Sequence, residues 1–381
     1  MSHLLSILDK NAGGTTLDGA TYTYDPAGNR KTRTPKPTGS ALTYTYDNIY
    51  ELLTAKQGTT TKESYTYDLV GNRLSSLGVS PYNYNSSNEL TSIAGGGTYN
   101  YDQNGSLTSK PDGTAYSWDF ENRLSQVTLP GTGGTVNFKY DPMGRRIQKA
   151  FTQGATTTTT NYVYDGTNVT EEVDANGAVM ARYTQGLGID EPLAELRSST
   201  TSYYDADGLG SITSLSSTAG ALANTYTYDS FGKLTASTGT VVNPFQYTAR
   251  DYDSETGLRY YRARYYDQNV GRFISEDPIR FKAGIDFYSY VVNNPVNFTD
   301  PRGLQSGNSV IDWHLNRCPK QPTQKDRCAC HCIYATDQVG CINSCMDCFS
   351  SKNALAPHEL CMCTCKAAEL DNCDCICKRV K

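Results

Sequence analysis

The first 317 of the 381 residues contain no cysteine, and the whole chain has two tryptophans and four histidines. A body without thiols carries no disulfide and no thiolate metal site, so packing must hold it together and no cofactor is expected in it. No apolar run approaches the roughly 18 residues that mark a membrane-spanning helix. Residues 1–8, MSHLLSIL, lack the basic n-region and the longer apolar core of a secretory signal. A basic excess is also missing. The formal charge of −5 divides into −6 over residues 1–304 (25 Lys/Arg against 31 Asp/Glu) and +1 over residues 305–381 (nine against eight). Neither part has the clustered positive face of a nucleic-acid partner. A chain of this length at 38% hydrophobic can still bury a sizeable core in two or three domains.

What the body does have is tyrosine, 28 of the 29 in the chain. They recur in one unit, Tyr-Xaa-Tyr-Asp followed by a Gly- or Asn-bearing turn and a charged-apolar pair. The unit stands as YTYDPAGNR (22–30), YTYDNIYEL (44–52), YTYDLVGNRL (65–74), YNYNSSNEL (82–90), YNYDQNGSL (99–107), YSWDFENRL (116–124), FKYDPMGRRI (138–147), YVYDGTNV (162–169), SYYDADGLGSI (202–212) and YTYDSFGKL (226–234). Its second aromatic falls at 24, 46, 67, 84, 101, 118, 140, 164, 204 and 228. Such regular spacing marks a repeat architecture. Aromatics at i and i+2 project from one face of a strand, the Asp side chain opens the turn, and Gly or Asn accepts positive φ within it. Each unit predicts a β-hairpin of roughly 20 residues. The fold class is therefore mostly β, with stacked hairpins in a sheet that curls, because sheets beyond about ten strands do not stay flat. The tyrosines are expected to pack the sheet, with a sugar-binding or stacking surface as the alternative. The repeat Asp is expected to form turns, not to catalyse.

Residues 257–304 break the repeat: GLRYYRARYYDQNVGRFISEDPIRFKAGIDFYSYVVNNPVNFTDPRGL. Residues 258–266 alternate as one strand, with Tyr261, Ala263 and Tyr265 on one face and Tyr260, Arg262, Arg264 and Tyr266 on the other. Two Asp-Pro steps follow, Asp277-Pro278 and Asp300-Pro301. The second places Asp at i, Pro at i+1 and Gly at i+3 of a tight turn. Asp-Pro is a common turn opening, and the sequence separation of the two steps by itself implies no spatial pairing.

This stretch resembles the C-terminal core of RHS/YD-repeat proteins, whose motif reads roughly RYYDPxxGRFLSEDPIG, then NLYxYVxNNPVNxxDPxGL. Here Gln268 replaces Pro, Arg280 replaces Gly and Asp286 replaces Asn, while both Asp-Pro steps stand intact. Together with the repeats, the resemblance covers residues 20–304. It is weakest over 171–215, where Asp205 stands in place of a usual His. It implies three segments: 1–250 as YD-repeat sheet, 251–304 as RHS-associated core and self-cleavage junction, and 305–381 as a variable tail. It further implies that the core cuts its own chain after the DPxGL leucine in an aspartic-protease-like way. Carried over by residue, Asp277 and Asp300 are the catalytic carboxylates, Arg272 is the group that steadies a carboxylate or the oxyanion, and Leu304–Gln305 is the scissile bond.

All 13 cysteines lie in the tail, at Cys318, Cys328, Cys330, Cys332, Cys341, Cys345, Cys348, Cys361, Cys363, Cys365, Cys373, Cys375 and Cys377, beside His314, His331 and His358. Three triplets at i, i+2 and i+4 would place three thiols on one face of a strand, and Cys345-Met-Asp-Cys348 has zinc-knuckle spacing. Disulfides and a zinc cluster are both open readings of this small cysteine-rich module.

In the family the body forms a β-spiral shell and the variable tail is a toxin or effector. Twenty strands at about 4.8 Å span about 95 Å. A ring around a 77-residue globule needs about 120 Å. The chain alone is thus expected to form an open, partial shell, completed by further N-terminal repeats or a partner chain, and to be a fragment of a longer protein. Two functions compete. One is a carrier that frees its tail as cargo, with an immunity protein as a further partner. The other is a secreted or surface adhesive protein with a stapled tail and no cleavage. Either leaves the bacterial cytoplasm by a route other than a signal peptide in this chain.

Overall fold

The computed structural model describes residues 3–282 and 284–304. Gln305 and Cys318 to Cys377 lie outside the described residues, and with them the disulfide and zinc readings of the tail. The repeats form antiparallel hairpins in strict chain order: seven strands over residues 6–76, two over 82–93 and fourteen over 100–238. A four-stranded sheet over 251–273 follows. Among the described residues no helix is long and apolar enough to cross a membrane.

The repeat motif explains the ladder. In Leu42–Tyr46 the first tyrosine, Tyr44, is buried and Thr45 is exposed, and the same alternation recurs in Leu222–Tyr228. Inward tyrosines make the core, as expected from the pattern. Outward threonines pair across the strands, Thr45 with Thr54 and Thr225 with Thr238, both at 2.7 Å. The second aromatic of most units has its own task. Its polar tip donates to a carbonyl of the preceding unit's return strand, Tyr46 to Arg30 (2.6 Å), Tyr67 to Leu52 (2.9 Å), Tyr140 to Leu124 (2.7 Å) and Tyr228 to Ile212 (2.9 Å). Trp118 does the same through its indole nitrogen, on Leu107. Where the unit loosens, Gln185 supplies the amide that reaches Val169. A buried hydroxyl needs a partner, and this spacing provides one in these hairpins, while Tyr204 of the loosened unit donates to the Glu195 carboxylate instead.

The repeat aspartates are turn formers. Asp68 Oδ1 accepts the amides of Val70, Gly71 and Asn72, and Asp141 Oδ1 those of Met143 and Arg145, all at 2.9 Å. These are Asx turns, in which the side chain stands in for a backbone acceptor.

The sheet meets itself. Tyr22 accepts the Gly208 amide at 2.8 Å, Thr213 donates to Asp18 at 2.6 Å, and Glu63 accepts the Ser230 amide at 3.0 Å. Strands near 16–67 therefore stack on those near 200–231, and one turn of the spiral closes within this chain. The curled, spiral sheet expected from the repeats is what forms, and the core segment lies within its turn. Phe245, Leu258, Tyr260, Tyr265, Ile274 and Val296 pack against inward residues of the repeats, and Tyr261, Tyr266, Phe273 and Tyr290 form a cluster of their own.

At this closure Asp9 stands directly opposite Asp18 across the first hairpin. Burial, followed by Asp205 and Asp18, raises the Asp9 carboxyl to about 7. A carboxyl whose folded value is raised takes up a proton on folding, so its contribution to stability falls as pH climbs from about 4 towards 7. Asp9→Asn removes that loss. Its melting temperature should match the parent's near pH 4 and exceed it at pH 8, as followed by circular dichroism. Equal melting at both pH values would contradict the assignment.

Candidate functional site

The expected single strand over 258–266 is instead a tight hairpin. Leu258–Tyr261 pairs with Arg264–Asp267, Tyr261 faces Arg264, and Arg262-Ala263 is the tip. Alternation continues through both arms, which is why the break does not show in the pattern. The tip lacks the usual Asn-Gly chemistry, and Arg262 takes a φ of 62°. Tertiary contacts hold it there. Arg262 is ion-paired with Asp190, 2.7 Å from Oδ1, and it donates to the Pro301 carbonyl.

The hairpin brings the two Asp-Pro steps together. Arg264, Asp277 and Asp300 are all fully buried. Arg264 Nη2 lies 2.7 Å from Asp277 Oδ2 and 3.2 Å from Asp300 Oδ2. Each aspartate also forms its turn, Asp277 Oδ1 accepting the Ile279 amide and Asp300 Oδ1 the Leu304 amide, both at 3.0 Å. The two aspartates thus meet around one arginine, and each also opens its own turn. Arg264 Nε further donates to the Gly303 carbonyl at 2.6 Å and Nη1 to Phe287 at 2.8 Å. Its ring neighbour is Phe273, 3.6 Å from the guanidinium carbon. Gly303, with φ of 64°, is required by the turn and by the Tyr261 carbonyl, which a Cβ would strike.

Burial raises the Asp277 carboxyl, opposed by Arg264 and the Ile279 amide and assisted by Asp300. The Asp277 Oδ2–Arg264 contact is close enough for an ion pair, but its angles are not those of a hydrogen bond. Burial lowers Arg264 below the ordinary arginine range, opposed by Asp277 and Asp300.

Arg272 is elsewhere. It donates to the Asn88 carbonyl at 2.7 Å, lies 3.5 Å from Asp286 Oδ1, and sits over the Tyr84 and Tyr288 rings at 4.9 Å. The arginine beside the two aspartates is Arg264, which sequence reasoning placed only on a strand face. Asp286, a departure from the family motif, is what engages Arg272. Gln268, another departure, accepts two bonds from buried Arg259 at 2.8 and 3.1 Å.

A cavity of about 580 Å³ opens beside the pair, lined by Asp277, Pro278 and Leu304 from the core and by Asn122, Met143 and Asp190 from the repeats. Leu304, the last residue described, is partly exposed there. Among the described residues no group of three His, Cys, Asp or Glu side chains is placed to hold a metal ion.

Residues 23–296 match the family model described as the teneurin YD-shell. The tRNA3(Ser)-specific nuclease WapA of Bacillus spizizenii is 34% identical over 308 residues, covering 78% of this chain and 11% of that protein. Double-stranded DNA deaminase toxin A of Burkholderia cenocepacia is 28% identical over 249 residues, covering 58% of this chain and 17% of that protein. The chain thus spans only a small part of these relatives. Among solved structures, the crystal structure of TcdB2-TccC3-Cdc42 aligns with a TM-score of 0.67 at 21% identity, over 81% of this chain and 18% of that one. At that identity the likeness is one of fold.

Proposed function

The chain belongs to the YD-shell family, and from that premise we propose that it is the junction-bearing part of a toxin carrier that cuts itself between Leu304 and Gln305. As an RHS/YD shell protein it is related to carriers of toxins. The observation that carries the finer reading is the buried Asp277–Arg264–Asp300 bridge, built against the turn that ends in Leu304.

In this reading Asp277 holds a proton and lends it to the Leu304 carbonyl oxygen, while Asp300 takes a proton from a water whose oxygen adds to the carbonyl carbon. The tetrahedral intermediate then breaks its bond to the Gln305 nitrogen, which takes the proton held by Asp300. One hydroxyl of the intermediate returns its proton to Asp277. The products are a Leu304 carboxyl and a Gln305 amine. Arg264 keeps the two carboxylates and the Gly303 carbonyl in register throughout. Arg272, outside this cluster, has no part in the step. The freed 77 residues are the cargo, with thiols that pair as disulfides or gather zinc, secreted with the shell and neutralised in the producing cell by an immunity partner.

Intact mass of the whole chain, purified near neutral pH, tests the reading. The parent should give pieces of 304 and 77 residues. Asp277→Asn and Asp300→Asn should each slow the cut by about 10²-fold or more and give mainly one piece. An uncut parent defeats the proposal.

A further inference from the structure

Three consecutive residues at the hairpin tip grip three consecutive carbonyls of the junction turn. Arg262 donates from Nη1 to Pro301, the Ala263 amide donates to Arg302 at 3.2 Å, and Arg264 Nε donates to Gly303 at 2.6 Å. The next carbonyl along the chain is that of Leu304. Two of these three grips are fixed close at hand, one by the backbone of the tip and one by the buried aspartates that flank Arg264. The third is not. Arg262 is a long side chain on a two-residue tip, 19% exposed, and among the described residues its hydrogen-bond partners, Asp190, Pro301 and Thr167, all lie outside its own hairpin.

Its direction is set from the repeat body. Asp190 sits in the loop after Val179–Gln185, with a φ of 60° that Asp tolerates better than most residues. Its Oδ1 lies 2.7 Å from Arg262 Nη2 and its Oδ2 is 3.1 Å from Arg262 Nη1, the nitrogen that also reaches Pro301. This is the forked arrangement in which a carboxylate fixes the plane of a guanidinium. The same Oδ1 also takes Arg250, which is buried and holds the Tyr260 carbonyl through Nε at 3.0 Å and Nη2 at 2.7 Å. One carboxylate of the body therefore ties down both the arm and the tip of the hairpin that presents the junction.

We propose that Asp190, acting through Arg262, is a positioning residue for the cut after Leu304. The proposal rests on the self-cleavage reading above, and adds that the repeat body sets the rate: the junction is competent only where the loop carrying Asp190 has docked on the hairpin. Displacing a reacting bond by about 1 Å costs on the order of 10²-fold in rate, which sets the size of the effect.

The test is a time course of cutting during cell-free synthesis of the full chain, read by gel and intact mass. Asp190→Asn keeps size but loses the fork, and should slow cutting by about 30- to 100-fold. Asp190→Glu should recover most of the rate. The pH profile should keep its shape in both, because Asp190 exchanges no proton in the step, and the body of either variant should resist limited proteolysis as the parent does. If Asp190→Asn loses that resistance, Arg262→Lys decides in its place. Lysine keeps the charge but cannot bond Asp190 in a fork and Pro301 together, and it should slow cutting to the same extent in a protease-resistant body. Cutting at the parent rate by Asp190→Asn in a resistant body, or by Arg262→Lys, overturns the role of Asp190 and leaves self-cleavage standing. A parent that does not cut overturns both.

Discussion

Arg146→Met is expected to cost the fold about 3–5 kcal/mol, a large share of the 5–15 kcal/mol that a domain commonly has. Arg146 follows the turn of the repeat at 138–147 and is 1% exposed, with its charge turned inward. Nη1 lies 2.5 Å from Asp253 Oδ2, and the guanidinium carbon sits 4.5 Å from the centre of the Tyr260 ring and 5.1 Å from that of Tyr162. Burial works against this charge, but Asp253 and the neighbouring tyrosines outweigh it and raise the Arg146 value. Methionine fills much of the space and removes the charge, which leaves Asp253, 1% exposed, with only Lys149 at 3.2 Å. The loss is mainly that of a buried carboxylate without its partner. Denaturant unfolding should show it, and Arg146→Met with Asp253→Asn should cost less than the two single losses summed, because the orphan charge is then absent. A single substitution that shifts stability by under about 1 kcal/mol would show that the pair does not tie body to core. The parent's own pair has the opposite pH sense to Asp9. Asp253 is lowered in the fold, by Arg146 and Lys149 against burial, so its contribution is complete above its unfolded value near 4 and is lost as pH falls through the folded one.

That inward arginine marks the limit of what the sequence discloses. The hairpin repeat, its aromatic inner face and its Asp turns are legible because each depends on neighbours within some 20 residues. The charged residue after each turn reads as a solvated strand start, since alternation arguments treat Arg as polar. Yet Arg30, Arg73 and Arg146 all turn inward over aromatic rings, at 4.3 Å from Tyr22, 4.1 Å from Phe231 and 4.5 Å from Tyr260. The core then meets all three by long-range bonds, the Asn297 side chain accepting the Arg30 amide, the Val270 carbonyl accepting from Arg73 and Asp253 from Arg146. Such pairings reach far along the chain and leave no periodic trace. The hairpin tip at Arg262-Ala263 is hidden for a related reason, its positive φ being imposed by Asp190 and Pro301 instead of by a turn residue. The choice between Arg264 and Arg272 could not be made from spacing. Both stand in the same motif, and only the fold of the hairpin decides which one faces the two aspartates.

Arg264→Met should be more damaging still, and its damage should be reversible by protons. Arg264 is the cation between two fully buried aspartates, which share one proton in the self-cleavage reading, and it donates to two backbone carbonyls as well. Losing one partner of a buried pair costs about 3–5 kcal/mol, and each orphaned carbonyl adds roughly 1–3 kcal/mol. Even with partial relaxation the sum reaches the scale of total stability, so at pH 7.5 the variant should lose its cooperative melting transition and any cutting with it. Burial already raises the Asp277 carboxyl against the opposing Arg264, and without the guanidinium that opposition is gone. Folding of the variant then takes up protons, and its stability rises as pH falls towards about 4, which is opposite to the loss expected at Arg146–Asp253. A melting transition that returns between pH 7.5 and 5 would carry that signature. Arg264→Met combined with Asp277→Asn and Asp300→Asn should regain much of the transition at pH 7.5 without lowering the pH, because the buried charges are gone. If Arg264→Met instead melts within a few degrees of the parent at neutral pH, Arg264 is not what holds the two aspartates, and the bridge on which the self-cleavage reading stands loses its electrostatic basis.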